Sequence, residues 1–501
     1  MDIKKKLLIL IVAYNHEKFI KKVLERISTA LTKKYNVEIL INDDSSTDKT
    51  VRYAQEFIKF NTNNVFKYKI LSNPENQGYG GNQKIGYEYA IKNNFDFVAL
   101  VHGDGQYAPE SLQELIEPLN SNTVDAVFGS RMMTKGGALR GGMPFYKFVG
   151  NKILTFFQNY LFSTKFTEFH SGYRIYKISS LKKIPYILNA NDYSFDNEII
   201  AQFLLAKLTI KELPIPTYYG DEISYVNGLK YAYQVFITNL KAKLQGVGIF
   251  YDRKFDCSPL KRENYLIKDG FSSTHTKTVD IIKKNSSVLD LGCNKGELGA
   301  YLKKKDCHIV GVDKEKKLEK NQLDEYVSFD LDKGLPNLDY KNFDYIIILD
   351  VIEHLLRPEK FMHELKNKIS SNTKVKILIS TPNVAFIVIR LMLLIGFFNY
   401  GKKGILDRTH TRLFTFSSFK NLVEQFGFSI TKIYGIPAPF PLVFGNNIIG
   451  KTLICINSFL IKISKGLFSY QIYFEIESDV SLETLLSRAN INTKIYNEFW
   501  L

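Results

Sequence analysis

A buried strand that ends in a carboxylate is the feature that most restricts the fold of this chain. Residues 97–101 (FVALV) form an unbroken apolar run, which is typical of a strand buried on both faces of a parallel sheet. Gly103, Asp104, Gly105 and Gln106 follow closely. In open α/β sheets, ligands bind outside the carboxyl ends of such strands, so Asp104 stands where a metal and a diphosphate could meet. A tight turn with a capping Asp is the alternative interpretation.

The composition is that of a globular protein, and its length predicts two or three domains. The chain has 501 residues, of which 45% are hydrophobic and 24% charged. Its net charge of +16 is compatible with nucleic acid, an anionic membrane surface or phosphorylated substrates. No arginine-rich arm is present, so we expect no nucleic-acid partner. The four cysteines form neither a CxxC motif nor a Cys/His cluster, which favours a reducing cytoplasm over disulfides or a zinc site.

The first half of the sequence repeats a pattern of strand, turn and helix. Apolar runs at residues 7–13 and 37–42 flank a segment with helical spacing, which predicts a βαβ unit. The second run leads into a polar turn that starts at Asp43, and residues 73–82 (NPENQGYGGN) place three glycines before a helical segment. Backbone N–H groups in such a loop could face a phosphate. A further predicted strand, residues 126–130, ends at Arg131.

Six motifs in this half occur in the order found in one enzyme family. They are IVAYNHE, INDDSSTDKT, NQGYGGN, HGDGQYAPE, GSR and EFHSGYR. On these motifs, roughly the first 250 residues resemble the family 2 glycosyltransferases of GT-A fold, especially the branch of dolichol-phosphate mannose synthase. The resemblance implies a nucleotide-sugar donor, an inverting transfer, and a polyprenyl phosphate or glycan acceptor. A lipid phosphate is already an anion and needs no general base, whereas a sugar hydroxyl would need one.

The same resemblance implies roles for individual residues. Asp104 and Gln106 match the family's metal-binding positions, where Mg or Mn would be held, and Asp104 and Glu168 are the predicted catalytic carboxylates. His102 departs from the pattern, because it stands where the family usually has its first aspartate. The predicted nucleotide-sugar contacts are Ala13, Tyr14, Asn15, Glu17, Asp43, Gly78, Gly81, Asp104, Arg131 and Arg174.

The second half begins the strand, turn and helix pattern again. Apolar periodicity lapses between residues 246 and 271, and residues 288–296 (VLDLGCNKG) then form a glycine turn between a strand and a helix. Later strands end near Asp313, Asp330 and Asp350, the last of which opens the motif DVIEHLLRP. With TPN at 381–383 and DRTHTRLF at 407–414, residues 272–428 resemble the class I S-adenosylmethionine-dependent methyltransferases, in the branch that includes quinone-type O-methyltransferases.

This second resemblance implies a site for S-adenosylmethionine. Its predicted contacts are Asp290, Gly292 and Gly296 on the methionine side, Asp313 at the ribose, Asp330 at the adenine, and Asp350. The methyl group already sits on a sulfonium, so the protein mainly has to align it with a nucleophile. If that nucleophile is a hydroxyl, His354 and His410 are the candidate general bases, although a lone His is more often structural.

Two apolar segments near the C-terminus admit two interpretations. Residues 384–399 are interrupted by Arg390 and residues 447–468 contain three lysines, so no apolar run reaches the roughly 18 residues of a spanning helix. They fit a membrane interface, core helices or a dimer surface about equally well. Peripheral membrane contact therefore stays open, as does the oligomeric state. The expected location is the cytoplasm, either free or at the inner face of the membrane.

These observations together predict an α/β protein with two Rossmann-like three-layer domains. The predicted segments are a glycosyltransferase domain at 1–250, a linker at 251–271, a methyltransferase domain at 272–440 and an apolar extension at 441–501. The predicted function is sugar transfer and methylation of a sugar or related hydroxyl, in glycan or glycolipid biosynthesis. Two alternatives remain: a polysaccharide glycosyltransferase whose methyltransferase domain has a separate substrate, and a scaffold protein with one decayed site.

Overall fold

The structure is a computed structural model with two compact units. It describes residues 4–61, 65–219, 228–245, 251–257, 270–314, 323–369 and 375–479. Within these ranges, residues up to 245 together with 251–257 form the first unit, and residues from 270 onward form the second. Each unit is built around one mixed sheet of seven strands.

The first sheet has the strand order β3-β2-β1-β4-β6-β5-β7. All neighbouring strands pair in parallel except β6, which runs antiparallel to both β4 and β5. The strands are β1 (Lys5–Ala13), β2 (Tyr35–Asp43), β3 (Lys67–Ser72), β4 (Phe97–His102), β5 (Ala126–Ser130), β6 (Arg174–Lys177) and β7 (Ile210–Pro214). The predicted first βαβ unit is therefore present at the centre of this sheet.

Helices cover both faces of the first sheet. Alternate side chains of β1 explain this: Leu7 and Ile9 enter one hydrophobic core, whereas Leu8 and Leu10 enter the other. All four are fully buried, which is why the strand reads as a continuous apolar run. The helices are α1 (Ile20–Glu25), α2 (Thr50–Phe60), α3 (Gly78–Lys92), α4 (Leu112–Ile116), α5 (Gly137–Arg140), α6 (Phe145–Phe162), α7 (Ile178–Leu181), α8 (Phe195–Leu205) and α9 (Gly228–Gln245).

The second sheet has the order β10-β9-β8-β11-β12-β14-β13. Its first five strands are parallel, and β14 is antiparallel to both of its neighbours. The strands are β8 (Ser287–Leu291), β9 (His308–Asp313), β10 (Glu325–Ser328), β11 (Tyr345–Leu349), β12 (Lys376–Pro382), β13 (Phe428–Ile436) and β14 (Gln471–Ser478). A separate core lies on each face, so the prediction of two Rossmann-like three-layer units is confirmed.

The helices of the second unit include the two apolar segments of the sequence. They are α10 (Thr274–Ile281), α11 (Glu297–Lys303), α12 (Pro358–Lys368), α13 (Ile387–Leu394), α14 (Phe416–Gln425), α15 (Phe440–Phe444), α16 (Ile448–Ile463) and α17 (Lys465–Phe468). Segment 384–399 supplies α13, and segment 447–468 supplies α16 and α17. Among the described residues, we find no helix with the length and hydropathy to cross a bilayer.

The structure differs from the predicted segment boundaries at two places. Part of the predicted linker belongs to the first unit, because Phe255 and Cys257 are buried there and Lys254 forms a 2.6 Å ion pair with Glu198. The predicted C-terminal extension is also not separate, since β14 lies inside the second sheet. Local periodicity does not reveal a strand that returns to a sheet from a distant part of the chain. Residues 246–250, 258–269 and 480–501 of these segments lie outside the described residues.

Candidate functional sites

The first candidate site lies at the carboxyl edge of the first sheet. Strand β1 is paired with β2 on one side and β4 on the other, with Ala13 opposite Asp43 and Val12 opposite His102. The loops that follow these three strands therefore emerge side by side. Ala13 is buried at the strand end, and Tyr14, the next residue, is 39% exposed.

Two predicted contact residues hold these loops together. Asn15 has a positive φ of 57°, and its side-chain oxygen accepts a 2.9 Å hydrogen bond from the Thr47 N–H. The Glu17 carboxylate accepts a 3.0 Å bond from the Lys49 N–H. Asn15 and Glu17 thus link the loop after β1 to the loop after β2, so both have a positioning role in this structure.

Asp43 is buried, and only one of its two carboxylate oxygens is hydrogen-bonded within the described part of the chain. It is 1% exposed, and its Oδ2 accepts hydrogen bonds from the Ser46 N–H at 3.1 Å and from the Ser72 hydroxyl at 3.3 Å. Its Oδ1 is buried and has no hydrogen-bond partner among the described residues. A buried acceptor without a donor costs free energy, and an N–H group of a bound ligand would remove that cost.

The glycines in the first turn of α3 donate their N–H groups to other parts of the protein. The Gly78 N–H donates to the Asn76 side chain at 3.0 Å, and the Gly80 and Gly81 N–H groups donate to the Asn191 carbonyl at 2.7 and 3.2 Å. A Cβ on Gly78 would lie 2.6 Å from that carbonyl. The glycines allow the chain around Asn191 to pack here, and the structure does not support phosphate binding by Gly78 and Gly81.

Asp104 lies in a turn directly after β4. Its Oδ1 accepts a 3.0 Å bond from the Gln106 N–H, and Gly105 between them has a φ of 77°. Asp104 thus caps the turn with one carboxylate oxygen, as the turn interpretation predicts. The capping bond does not use the other oxygen, so the metal-ligand interpretation also stays possible. A single carboxylate oxygen is a weak metal site, so further ligands are needed.

His16 stands beside this turn and was not predicted as a site residue. Its Nδ1 is buried and has no partner among the described residues, and a Cβ on Gly103 would lie 2.8 Å from it. Burial lowers the pKa of His16, although the charge of Asp104 opposes this. A neutral imidazole next to a carboxylate fits Mn²⁺ better than Mg²⁺, which prefers oxygen ligands.

His102 is buried in a chain of hydrogen bonds. Its Nε2 lies 2.9 Å from the Tyr79 hydroxyl, which donates at 3.0 Å to the Asp196 carboxylate. Because the tyrosine proton is committed to Asp196, its oxygen accepts from the Nε2–H of His102, and the lone pair of the ring is then on Nδ1. Burial lowers the pKa of His102, so the ring is neutral at neutral pH.

Glu168 and Arg131 form a buried ion pair. Glu168 is 2% and Arg131 8% exposed. One carboxylate oxygen accepts from Arg131 Nε at 3.0 Å and the other from the Arg131 N–H at 2.7 Å. Burial alone would raise the pKa of Glu168, but the charge and hydrogen bonds of Arg131, together with a hydrogen bond from Asn151, outweigh burial and hold that pKa below its usual range. Glu168 is therefore a poor proton acceptor, and this geometry gives both residues a positioning role.

Arg174, a predicted phosphate contact, is fully buried. Its guanidinium donates to the carbonyls of Ser171, Asp196 and Phe169 at 2.9, 2.8 and 3.3 Å, and it lies 3.3 Å from the Asp196 carboxylate. These bonds hold the segment that precedes β6. The structure therefore does not support a phosphate contact by Arg174; the sequence motif marks a buried scaffold residue instead.

The second candidate site lies at the carboxyl edge of the second sheet. The Gly292 N–H bonds to the Val312 carbonyl at 2.7 Å, and the Asn294 N–H donates to the Asp313 carboxylate at 2.8 Å. Gly292 has a φ of 87°, and Gly296 has a φ of 69° at the start of α11. Asp330 follows β10, the neighbour of β9, so it lies on the same edge as Asp313.

Asp290 lies within β8 and is 5% exposed. Burial, followed by the negative charge of Asp313, raises the pKa of Asp290 to about 7. The carboxyl group is thus close to half ionised at neutral pH. A cationic ligand that lies against it would favour the ionised form.

Asp350 is held by residues from two other strands. It has a positive φ of 54°, its Oδ1 accepts from the Ser380 hydroxyl at 2.8 Å, and its Oδ2 accepts from Gln471 Nε2 at 2.6 Å. Gln471 begins β14 and was not predicted, because it lies 121 positions away in the supposed extension. Asp350 thus has a fixed orientation at the end of β11.

His354 and His410 lie next to each other. Their ring centroids are 4.8 Å apart at an interplanar angle of 72°. His354 Nδ1 lies 3.2 Å from the Thr409 carbonyl, and His410 Nδ1 lies 2.9 Å from the Ile405 carbonyl. The structure therefore brings together two histidines that the sequence places 56 positions apart.

Comparison with known proteins finds a match in each unit. Residues 8–185 match the glycosyl transferase family 2 model, and residues 263–433 match a methyltransferase domain model. The chain is 30% identical over 226 residues to the UDP-N-acetylglucosamine–dolichyl-phosphate N-acetylglucosaminyltransferase of Methanococcus voltae, across 43% of this chain and 87% of that protein.

Two further relatives are each similar to part of the chain. The low-salt glycan biosynthesis hexosyltransferase Agl6 of Haloferax volcanii is 29% identical over 44% of this chain and 49% of its own length. The (S)-tetrahydroprotoberberine N-methyltransferase of Eschscholzia californica is 30% identical over 22% of this chain and 35% of its own length.

Proposed function

The chain belongs to glycosyltransferase family 2 and carries a methyltransferase domain in its second unit, and we propose that it is a bifunctional enzyme. Its first unit would transfer a sugar, with inversion, from a nucleotide-sugar donor to a polyprenyl phosphate. Its second unit would methylate a sugar hydroxyl with S-adenosylmethionine. The observation that carries the proposal is the placement of Asp43 and Asp104 at the carboxyl ends of β2 and β4, the two strands that pair in parallel with β1.

The donor would bind across these strand ends. The unpartnered Oδ1 of Asp43 would accept from an N–H of the nucleotide base, with the ring of Tyr14 nearby. Asp104, helped by His16 and Gln106, would hold Mg²⁺ or Mn²⁺ against the diphosphate. The ion, when bound, offsets charge that develops on the leaving nucleoside diphosphate. Arg131 and Glu168 would position the loops around the sugar.

The state of Glu168 supports an acceptor that is already an anion. Its carboxylate is paired with Arg131, so it would not remove a proton from a hydroxyl. The Methanococcus relative is named for dolichyl phosphate, which is such an acceptor. The Haloferax relative is named as a hexosyltransferase of glycan biosynthesis, and it supports a glycan hydroxyl as the second candidate acceptor.

Transfer assays distinguish the two acceptors. Purified protein would be incubated with a panel of nucleotide sugars and either a polyprenyl phosphate or soluble glycans. We expect sugar transfer to the lipid phosphate, and a loss of at least about 100-fold in Asp104→Asn. Glu117→Gln, which removes a carboxylate from an exposed ion pair with Lys34, is the control and should retain activity. Transfer to glycan hydroxyls alone would refute the lipid acceptor.

In the second unit, S-adenosylmethionine would lie along the ends of β8, β9 and β10. Asp313 would accept from the ribose hydroxyls, Asp330 would face the adenine, and Asp290 with Gly292 and Gly296 would face the methionine part. Asp350, fixed by Ser380 and Gln471, would border the methyl group. His354 and His410 follow on the side from which a hydroxyl acceptor would approach.

Helices α13 and α16 would contact an anionic membrane surface. Leu394 is 82% and Ile448 83% exposed, and lysines 451 and 462 are exposed on α16. An apolar face with neighbouring lysines suits anionic lipid. In flotation with anionic liposomes at low salt, we expect the protein to float, and Leu394→Asp with Ile448→Asp to reduce this. Protein that stays in the soluble fraction would refute membrane contact.

A further inference from the structure

Three metal-ligating side chains meet beside the proposed methyl-transfer site. Glu353, His354 and His410 each place one ligand atom within 4.8 Å of those of the other two. Glu353 is 1% exposed, and the short helix that carries it and His354 (Ile352–His354) begins two residues after Asp350. The cluster is therefore continuous with the acceptor side of that site.

Both imidazoles carry their proton on the same type of nitrogen. A backbone carbonyl only accepts hydrogen bonds, so His354 Nδ1, at 3.2 Å from the Thr409 carbonyl, must donate to it. His410 Nδ1 donates in the same way to the Ile405 carbonyl at 2.9 Å. Each Nε2 then has the lone pair. Metal-binding histidines characteristically use one nitrogen for the metal and donate the other N–H to a carbonyl or carboxylate.

The backbone joins the two segments that supply the ligands. The Thr411 N–H donates to the Glu353 carbonyl at 2.8 Å, and the Thr411 hydroxyl donates to the Leu355 carbonyl at 2.6 Å. The side chain of Asp407 accepts from the N–H and the hydroxyl of Thr409, both at 2.8 Å. These bonds hold His410 against the turn that carries Glu353 and His354. The cluster is thus built into the fold and is not a chance meeting of surface side chains.

A base role for one histidine explains less of this arrangement than a metal site does. General base catalysis needs one imidazole, whereas here two imidazoles and a carboxylate lie together. A divalent cation would bind the lone pairs of both imidazoles and of the Glu353 carboxylate at one point. Ligands around such an ion at about 2.0–2.2 Å lie roughly 3–3.5 Å apart, so small side-chain shifts would close the cluster.

We propose that Glu353, His354 and His410 bind one divalent transition-metal ion, such as Zn²⁺, Mn²⁺ or Co²⁺, whose remaining position binds the acceptor oxygen of the methyl transfer. Two nitrogens and one carboxylate suit these ions better than Ca²⁺ or Mg²⁺. The acceptor hydroxyl gives its proton to water on binding. Its oxygen then bonds to the methyl carbon while the C–S bond breaks, and the electron pair returns to the sulfur of S-adenosylhomocysteine. The chemical role rests on the proposed function, but the metal site does not.

Metal titration of the full chain tests the site. Asp104→Asn serves as the parent protein, so that the first unit does not contribute. After treatment with a chelator and dialysis, it is titrated with Co²⁺ and followed by visible absorption, and then with Zn²⁺ by calorimetry. We expect one equivalent of Co²⁺ with nitrogen-ligand absorption, and at least roughly 100-fold weaker binding in Glu353→Gln, His354→Gln and His410→Gln.

His363→Gln is the matched control, because His363 lies exposed on α12 of the same unit. It should bind Co²⁺ like the parent. Parent protein that binds S-adenosylmethionine but no Co²⁺ overturns the metal site, as does equal Co²⁺ affinity in all four glutamine variants. If the ligand variants fail to fold, the stoichiometry and absorption of the parent decide alone. Parent protein that binds Co²⁺ but not S-adenosylmethionine contradicts the proposed methyltransferase function and leaves the metal site standing.

Discussion

The buried carboxyl group of Asp290 makes the stability of the second unit depend on pH. Burial and then Asp313 raise its pKa from 3.8 to about 7 in the folded state. Between these values, the unfolded chain has lost the proton and the folded chain has kept it. The free energy of unfolding must therefore fall as pH rises through this window, and level off above it. At about 1.4 kcal/mol per pH unit, the full penalty is on the order of 4 kcal/mol.

Asp290→Asn removes this penalty while it keeps the size of the side chain. Between pH 5.5 and pH 8, the free energy of unfolding of the variant should rise by about 2 kcal/mol relative to that of the wild type. The wild type loses stability only up to about pH 7, so only the lower part of this range contributes. That is roughly 4–8 °C in the melting temperature of a domain of this size. The assay is thermal unfolding of the full chain, with Asp339→Asn, whose side chain accepts from the Lys341 N–H, as control. A melting-temperature difference between Asp290→Asn and the wild type that does not change with pH would refute this account of Asp290.

The remaining predictions concern single contacts in both units. Glu168→Gln leaves the buried Arg131 without its counter-ion and should lower the free energy of unfolding by about 3–5 kcal/mol, as measured by denaturant or heat. Gly292→Ala should cost about 1–3 kcal/mol and weaken S-adenosylmethionine binding in calorimetry, since its Cβ would lie 2.3 Å from Val351 Cγ2 and its φ is 87°. His102→Asp should lower the Mn²⁺ concentration for half-maximal sugar transfer by about 10-fold, and an unchanged Mn²⁺ requirement would contradict a metal at Asp104.

The strand ends could be predicted from the sequence because each is a local pattern. An apolar run followed by Asp104 or Asp313 identifies a buried strand and the residue at its carboxyl end, and parallel pairing then brings such ends together. His16 was missed because it has no such pattern around it. Its unpartnered Nδ1 is visible only when the neighbouring strand and turn are in place.

Contacts between distant segments could not be predicted in this way. Arg131 and Glu168 each match a motif, but the sequence does not show that they neutralise each other across 37 positions. Gln471 reaches Asp350 only because β14 enters the sheet between β12 and β13. Family motifs name the positions that matter, whereas burial and pairing decide whether a residue contacts a ligand or supports its neighbours.

The central claim, that one chain carries a sugar-transfer site and a separate methyl-transfer site, is tested most directly by mass spectrometry of the reaction products. Purified protein would receive nucleotide sugars, polyprenyl phosphate and S-adenosylmethionine, in parallel with Asp104→Asn and Asp313→Ala. We expect a methylated lipid-linked sugar from the wild type, the same sugar without its methyl group from Asp313→Ala, and no lipid-linked sugar from Asp104→Asn. A sugar product that is never methylated, or that persists undiminished in Asp104→Asn, would contradict the account.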